Sequence, residues 1–202
     1  MTTVAIARYG AGNVRSVELA VRRLGAEVVD DLERADLAVL PGVGSARSAM
    51  DGLGLSADVL RERHASGRPI LGICLGLQLA LDETEEDGGV AGLGLVPGRA
   101  VRLDDERVPR IGWAPVEPGG EAYWFAHSYE AETDATVATS EGHAAIVEHG
   151  AFVGVQFHPE KSAAAGARFL ARVLDSSAAD RSFQTDAKAE PLRPGDGAAS
   201  GA

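Results

Sequence analysis

Leu71-Gly72-Ile73-Cys74-Leu75-Gly76-Leu77-Gln78 decides how the rest of the chain is read. An apolar run ends on a nucleophilic side chain, glycines stand two positions to either side, and a helical segment follows at once. That pattern is the nucleophile elbow, a sharp strand-to-helix turn that holds its central residue at strained backbone angles. Side chains larger than glycine at the flanks would clash across such a turn. The elbow sets Cys74 above the carboxyl edge of a sheet, at a helix start where free N–H groups favour thiolate over thiol. The competing reading, a small inert core cysteine, is weakened by both glycines and by the strand-to-helix setting.

Working outward, the flanking segments repeat a strand–helix alternation. Val4-Ala5-Ile6-Ala7 is a short buried strand that ends at Tyr9-Gly10-Ala11-Gly12-Asn13. Val14, Val17, Val21 and Leu24 recur at helical spacing, with Gly25 at the helix end. Ala26-Glu27-Val28-Val29 and Leu37-Ala38-Val39-Leu40 are two further strands, and Pro41-Gly42-Val43-Gly44 follows the second. The segment from Ser45 to about His64 reads as helical in its second half, before the strand Pro69–Ile73 and a helix from Leu75 to about Leu81. Such βαβ order implies an α/β fold with a parallel sheet. After Glu86 the texture changes to short stretches punctuated by glycine and proline, which predict antiparallel strands up to Gln156. A final helix has Ser162 as its N-cap candidate and Phe169, Leu170, Val173 and Leu174 as its apolar face. One domain over residues 1–175 is expected, with 176–202, rich in Ala, Asp, Gly, Pro and Ser, as a disordered tail.

A thiolate that attacks an amide needs a base that also protonates the leaving amine. Of the five histidines, only His158 closes an apolar strand, Phe152-Val153-Gly154-Val155-Gln156-Phe157. Pro159 biases His158 towards extended backbone, and residues two apart in extended chain point the same way, so Glu160 is expected beside the imidazole. A carboxylate there fixes the tautomer and stabilises the imidazolium. For the oxyanion, the Leu75 N–H is one donor by the logic of the elbow. The flexible Gly42–Val43 segment after the third strand is the candidate second donor.

Composition narrows the function classes. The chain has 202 residues, 45% hydrophobic and 24% charged, with a net charge of −11. Thirty acidic against 19 basic residues disfavours a nucleic-acid backbone partner. A single cysteine rules out internal disulfides and a multi-cysteine metal site, and no metal or cofactor is expected. No apolar run reaches the roughly 18 residues of a membrane span, and no basic-then-apolar leader opens the chain. A cytoplasmic location is therefore expected, with no membrane partner.

Gly72-Ile73-Cys74-Leu75-Gly76 together with Phe157-His158-Pro159-Glu160 resembles the class I, triad glutamine amidotransferases. Tyr9-Gly10-Ala11-Gly12-Asn13, Pro41-Gly42-Val43-Gly44, Gly112-Trp113, His127-Ser128-Tyr129 and His158-Pro159-Glu160-Lys161-Ser162 are most similar to the glutaminase subunits of imidazole glycerol phosphate synthase. The likeness runs from about Val4 to Leu174, with the motifs in the family's order. It implies a flavodoxin-like fold, a central mostly parallel sheet flanked by helices, plus an antiparallel region. It also implies a Cys74–His158–Glu160 triad that hydrolyses L-glutamine, with Gly42, Val43 and Leu75 around the oxyanion. Gln78 and Glu86 would help to bind glutamine, and the backbone of His127, Ser128 and Tyr129 would hold its carboxylate. An acidic run such as Asp82–Asp87 is otherwise a solvated helix end.

The implied partner is a cyclase subunit with a (β/α)8 barrel, joined as a heterodimer. It would receive ammonia and form imidazole glycerol phosphate and an aminoimidazole carboxamide ribotide in histidine biosynthesis. Asn13, Arg15, Trp113, Trp124 and Lys161 match positions at that interface. A flip of the Gly42–Val43 peptide on partner binding would complete the oxyanion hole. Arg8, Arg110, Ala114 and Trp124 depart from the family's usual residues, away from the triad. Other readings are a triad amidotransferase for a different acceptor, a cysteine hydrolase of related fold, and a non-catalytic module, which the intact triad disfavours.

Overall fold

In the computed structural model, which describes residues 1–10 and 13–178, four strands and four helices are interspersed through the first 80 residues. The order is β1 (Thr3–Ile6), α1 (Val14–Arg23), β2 (Glu27–Val29), β3 (Leu37–Leu40), α2 (Ala46–Leu53), α3 (Leu55–Ala65), β4 (Ile70–Ile73) and α4 (Leu75–Ala80). All residues of β3 and β4 are buried, as all-apolar strands covered on both faces must be. Residues 11 and 12 of the first glycine turn lie outside the described residues.

The segment after Ser45 corrects one expectation. It is helical from Ala46 onward rather than only in its second half, and is split into two helices at Gly54, whose φ is +48°. Ser45 caps α2 by accepting the Ser48 N–H. The buried face of α2 is Ala46, Ala49 and Leu53, side chains too small to mark a hydropathy stripe.

The second half contains β5 (Glu83–Thr84), β6 (Val90–Ala91), β7 (Arg99–Arg102), β8 (Arg110–Val116), β9 (Glu121–His127), β10 (Tyr129–Glu132), β11 (Thr136–Ser140), β12 (His143–His149) and β13 (Phe152–Val155), followed by α5 (Ala163–Ala178). The central sheet has the order β11-β12-β13-β4-β3-β1-β2. It is parallel from β13 to β2, with β11 and β12 added antiparallel at one side. Beside it lie a four-stranded sheet, β10-β7-β5-β6, and the β8–β9 hairpin. Within the smaller sheet β5 and β7 run parallel, so this region is not antiparallel throughout. Helix α5 continues to Ala178, through the first three residues of the expected tail, and residues 179–202 lie outside those described. No described helix is long and apolar enough to cross a membrane.

Three glycines bring β3, β4 and α4 into backbone contact. A Cβ on Gly76 would lie 1.9 Å from the Leu40 carbonyl oxygen, and one on Gly42 would lie 2.5 Å from both the Leu75 and Gly76 nitrogens. A Cβ on Gly72 would meet the Phe152 ring at 2.6 Å and the Gly76 backbone at 2.9 Å. At the opposite edge, the buried Arg63 guanidinium donates to the carbonyls of Leu32, Glu33, Ala35 and Pro69. It ties α3 to the entries of β3 and β4. The consequence for function lies at the carboxyl edge, where the segments after β1, β3, β4 and β13 converge. In doubly wound sheets that edge is where ligands bind.

Candidate active site

Cys74 occupies the elbow with φ 51° and ψ −106°, a left-handed conformation that costs a non-glycine residue free energy and recurs at functional sites. Its N–H donates to the Val155 carbonyl at 2.7 Å, so β13 pins the elbow from the side. Cys74 is 6% exposed, and its sulfur has polar neighbours among the described residues. The Gln156 amide Nε2 donates to it at 3.5 Å, the Ala126 carbonyl lies 3.8 Å away, and the His158 imidazole is close enough for the sulfur to stabilise its charge.

His158 has the extended backbone expected before proline, φ −102° and ψ 94°. Its Nδ1 lies 3.0 Å from Glu160 Oε1, and both side chains are nearly inaccessible. The pairing arises differently from the expected alternation, because Pro159–Lys161 form a single 3-10 turn that folds Glu160 back onto the ring. With Nδ1–H donated to the carboxylate, Nε2 is left for the sulfur. Burial is the strongest influence on His158 and disfavours its charge. Hydrogen bonds to Cys74 and Glu160, with the attraction of both negative groups, outweigh it and raise the pKa to about 9.

Ser162 fixes this turn. Its hydroxyl donates to the His158 carbonyl at 2.6 Å and accepts the Trp124 N–H at 2.9 Å, while the His158 N–H donates to the Trp124 carbonyl at 2.8 Å. Ser162 stands directly ahead of α5, its carbonyl accepting the Gly166 N–H at 3.0 Å, while its hydroxyl ties the His158 turn to β9.

A cleft of about 320 Å³ opens over the sulfur. Gly42, Val43, Leu75, Gln78, Glu86, His127, Ser128 and Tyr129 all line it, so the elbow, the segment after β3 and the β9–β10 junction share one space. Arg102, Pro109 and Ile111 line it too. Nothing in the local pattern singled these three out, since an exposed arginine in a short strand looks like any surface residue. Gln78 donates from Nε2 to the Tyr129 carbonyl at 2.8 Å and to Gln156 Oε1 at 3.2 Å. His127 Nδ1 lies 2.9 Å from that same carbonyl. Burial above all, with Arg110 adding repulsion, pushes the His127 pKa down to about 4, so the ring is neutral at neutral pH and donates from Nδ1.

Glu86 is not a freely solvated member of its acidic run. Its Oε2 accepts the Ala46 N–H at 3.0 Å at the start of α2, and burial raises its pKa. Asp87 accepts the next N–H, that of Arg47, at 3.1 Å. The segment ahead of α2 is held from its other end by Tyr9, whose buried hydroxyl donates to the Pro41 carbonyl. Burial and the nearby Cys74 charge raise the phenol pKa, which keeps the proton for that bond.

The residues matched to an interface lie at the start of α1, on the β8–β9 hairpin and in the turn after β13, and none of them lines the cleft. Asn13 opens α1, which packs against the Pro159–Lys161 turn that carries Lys161. Trp113 is 52% exposed on β8 and meets Trp124 of β9 edge-on, ring centres 6.0 Å apart; Arg15 is exposed on α1. Arg110 points inward: its guanidinium sits 4.3 Å from the centre of the Phe125 ring and bonds Ser140 and Glu141. Ala114 is buried in the core, and Arg8 pairs with Glu18 on the surface.

The family model for class-I glutamine amidotransferases matches residues 4–175. The chain is 42% identical to imidazole glycerol phosphate synthase subunit HisH of Natronomonas pharaonis, covering 85% of this chain and 94% of that one. It is 43% identical to the HisH subunit of Symbiobacterium thermophilum, covering 85% and 92%. It is also 38% identical to imidazole glycerol phosphate synthase hisHF, chloroplastic, of Arabidopsis thaliana, covering 86% of this chain but 34% of that longer one. A solved glutamine amidotransferase has the same fold at TM-score 0.68 and 20% identity, covering 86% of this chain and 98% of the other. The chain therefore belongs to the class-I glutamine amidotransferase family and, within it, to the HisH subunits of imidazole glycerol phosphate synthase.

Proposed function

We propose that the chain hydrolyses L-glutamine with Cys74, His158 and Glu160 and delivers the ammonia to a cyclase subunit of imidazole glycerol phosphate synthase. The observation that carries this reading is the strained Cys74 beside a buried His158–Glu160 pair, beneath a cleft of substrate size. The Cys74 thiolate attacks the side-chain amide carbon, and the electron pair of the C=O moves onto oxygen. The oxyanion is stabilised by the Leu75 N–H and by an N–H of the Gly42–Val43 segment. His158 Nε2–H protonates the amide nitrogen, the C–N bond breaks, and ammonia leaves a γ-glutamyl thioester on Cys74. Water then attacks the thioester carbon and gives its proton to His158 Nε2, and expulsion of the thiolate releases glutamate. Glu160 holds the ring orientation and stabilises the imidazolium throughout.

Gln78, Glu86 and the His127–Tyr129 backbone bind the zwitterionic end of glutamine in this reading. Arg102 adds a positive charge to the same wall of the cleft. The partner is supported by the fused hisHF relative, about two-thirds of which lies beyond the matched region. The exposed rim of Trp113, with Asn13, Arg15, Trp124 and Lys161, is the surface on which a barrel-shaped cyclase docks. Docking reorients the Gly42–Val43 peptide and switches hydrolysis on.

The test is to measure ammonia release from glutamine by the isolated chain, then with the cyclase subunit and its ribotide substrate. Rates at least tenfold higher in the liganded complex are expected. Equal rates would reject the gating and the assigned partner.

A further inference from the structure

We infer that Gln156 is a positioning residue for the Cys74 sulfur, held in a one-way amide relay that runs from the Tyr129 carbonyl through Gln78. The inference rests on the glutaminase reading of the site and adds to it a residue that the triad does not contain.

Gln156 has no exposure to solvent, although it sits in the otherwise apolar run from Phe152 to Phe157. A buried primary amide is costly unless its groups are bonded. Here the bonds fix its direction. The Tyr129 carbonyl only accepts, so Gln78 turns its amide nitrogen towards it at 2.8 Å. The second hydrogen of that nitrogen reaches Gln156 Oε1 at 3.2 Å. Gln156 must then present oxygen to Gln78 and nitrogen to the sulfur, where Nε2 stands 3.5 Å from Sγ. Flipping either amide would set donor against donor or acceptor against acceptor. A backbone carbonyl thus dictates, through two side chains, that the sulfur faces an N–H.

That N–H discriminates between sulfur states. A donor aimed at a thiolate makes a charge-assisted bond, roughly twice as strong as a neutral one, whereas the Ala126 carbonyl on the other contact favours only the protonated thiol. His158 and Tyr9 are titratable neighbours of the sulfur, with Glu160 behind His158, and Glu86, Arg102 and His127 line the cleft that Cys74 faces. Among the polar contacts of Cys74, only Gln156 supplies a neutral donor whose direction cannot reverse. Gln78 also lines the cleft, so the relay joins the cleft wall to the nucleophile.

The experiment is the pH dependence of Cys74 alkylation by iodoacetamide, followed by intact mass, in the full chain. The single cysteine makes the reading unambiguous. In Gln156→Met, which keeps the length of the side chain and removes the donor, the midpoint is expected to rise by about one pH unit, tenfold less thiolate at a fixed pH below it. Gln156→Glu, which keeps the shape and puts a carboxylate beside the sulfur, should raise it further. Gln78→Met, which leaves Gln156 in place without its anchor, should give a smaller rise. Unmoved midpoints in folded Gln156 variants would overturn the proposal. Should these variants not fold, an unmoved midpoint in Gln78→Met would overturn it equally. Alkylation needs no turnover, so raised midpoints in a chain that releases no ammonia even in the liganded cyclase complex would keep the relay and reject the glutaminase reading. Normal turnover with unmoved midpoints would do the reverse.

Discussion

The Ser162 hydroxyl donates to the backbone carbonyl of His158 at 2.6 Å, from a position four residues on in sequence and with no exposure to solvent. Because the same oxygen accepts the Trp124 N–H, one hydroxyl joins the triad turn to β9. Replacing it leaves the part-buried Trp124 N–H without its acceptor, at about 1–3 kcal/mol, and leaves the His158 carbonyl to the Lys161 N–H alone. Ser162→Ala is expected to lose stability in that range in urea unfolding. It should also lower glutaminase kcat, since His158 then has a looser frame. Wild-type stability together with wild-type kcat would show that the clamp does not hold the turn.

Tyr9 acts on the opposite wall. Its hydroxyl bond to Pro41 restrains the peptide just before Gly42, next to the segment assigned to the oxyanion. Tyr9→Phe removes one neutral hydrogen bond, about 1 kcal/mol, and keeps the ring packing. Glutaminase kcat in the cyclase complex is expected to fall severalfold while KM for glutamine stays near its wild-type value. A rise in KM with kcat unchanged would place Tyr9 in substrate binding instead.

Two histidines give stability opposite dependences on pH. His158 is raised from 6.5 to about 9, so its contribution is complete below pH 6.5 and disappears as pH rises through about 9. His127 is depressed from 6.5 to about 4, so its contribution is complete above pH 6.5 and declines as pH falls towards 4. Urea midpoints are expected to decrease on both sides of neutrality. His158→Gln should remove the loss between pH 6.5 and 9, and His127→Gln the loss between 6.5 and 4. An alkaline limb that survives in His158→Gln would contradict the imidazolium pairing. Glutaminase activity should also decline through about pH 9, as His158 loses the proton that it gives to the leaving amine.

The elbow and its glycines were legible from the sequence because their constraint is local. A Cβ at Gly72 would meet the Gly76 backbone at 2.9 Å, across the elbow itself. His158 was legible from its place at the end of an apolar strand. The Glu160 contact was anticipated on extended geometry, yet a 3-10 turn delivers it, because the proline that restrains His158 also suits the first position of a helical turn. Ser162, Gln156, Arg63 and the Tyr9 hydroxyl act through partners 4 to 82 residues away, and no local pattern encodes such pairs. Gln156 did leave a trace, as the one amide in an apolar strand run. Helix α2 was hidden because alanines form its buried face.

The central claim is that Cys74 is the nucleophile of glutamine hydrolysis. Its most direct measurement is product formation by the complex of Cys74→Ala with the cyclase, supplied with either glutamine or ammonium. The account predicts no detectable synthesis from glutamine and near wild-type synthesis from ammonium, because only the source of ammonia is lost. Glutamine-dependent synthesis at the wild-type rate in that variant would contradict it.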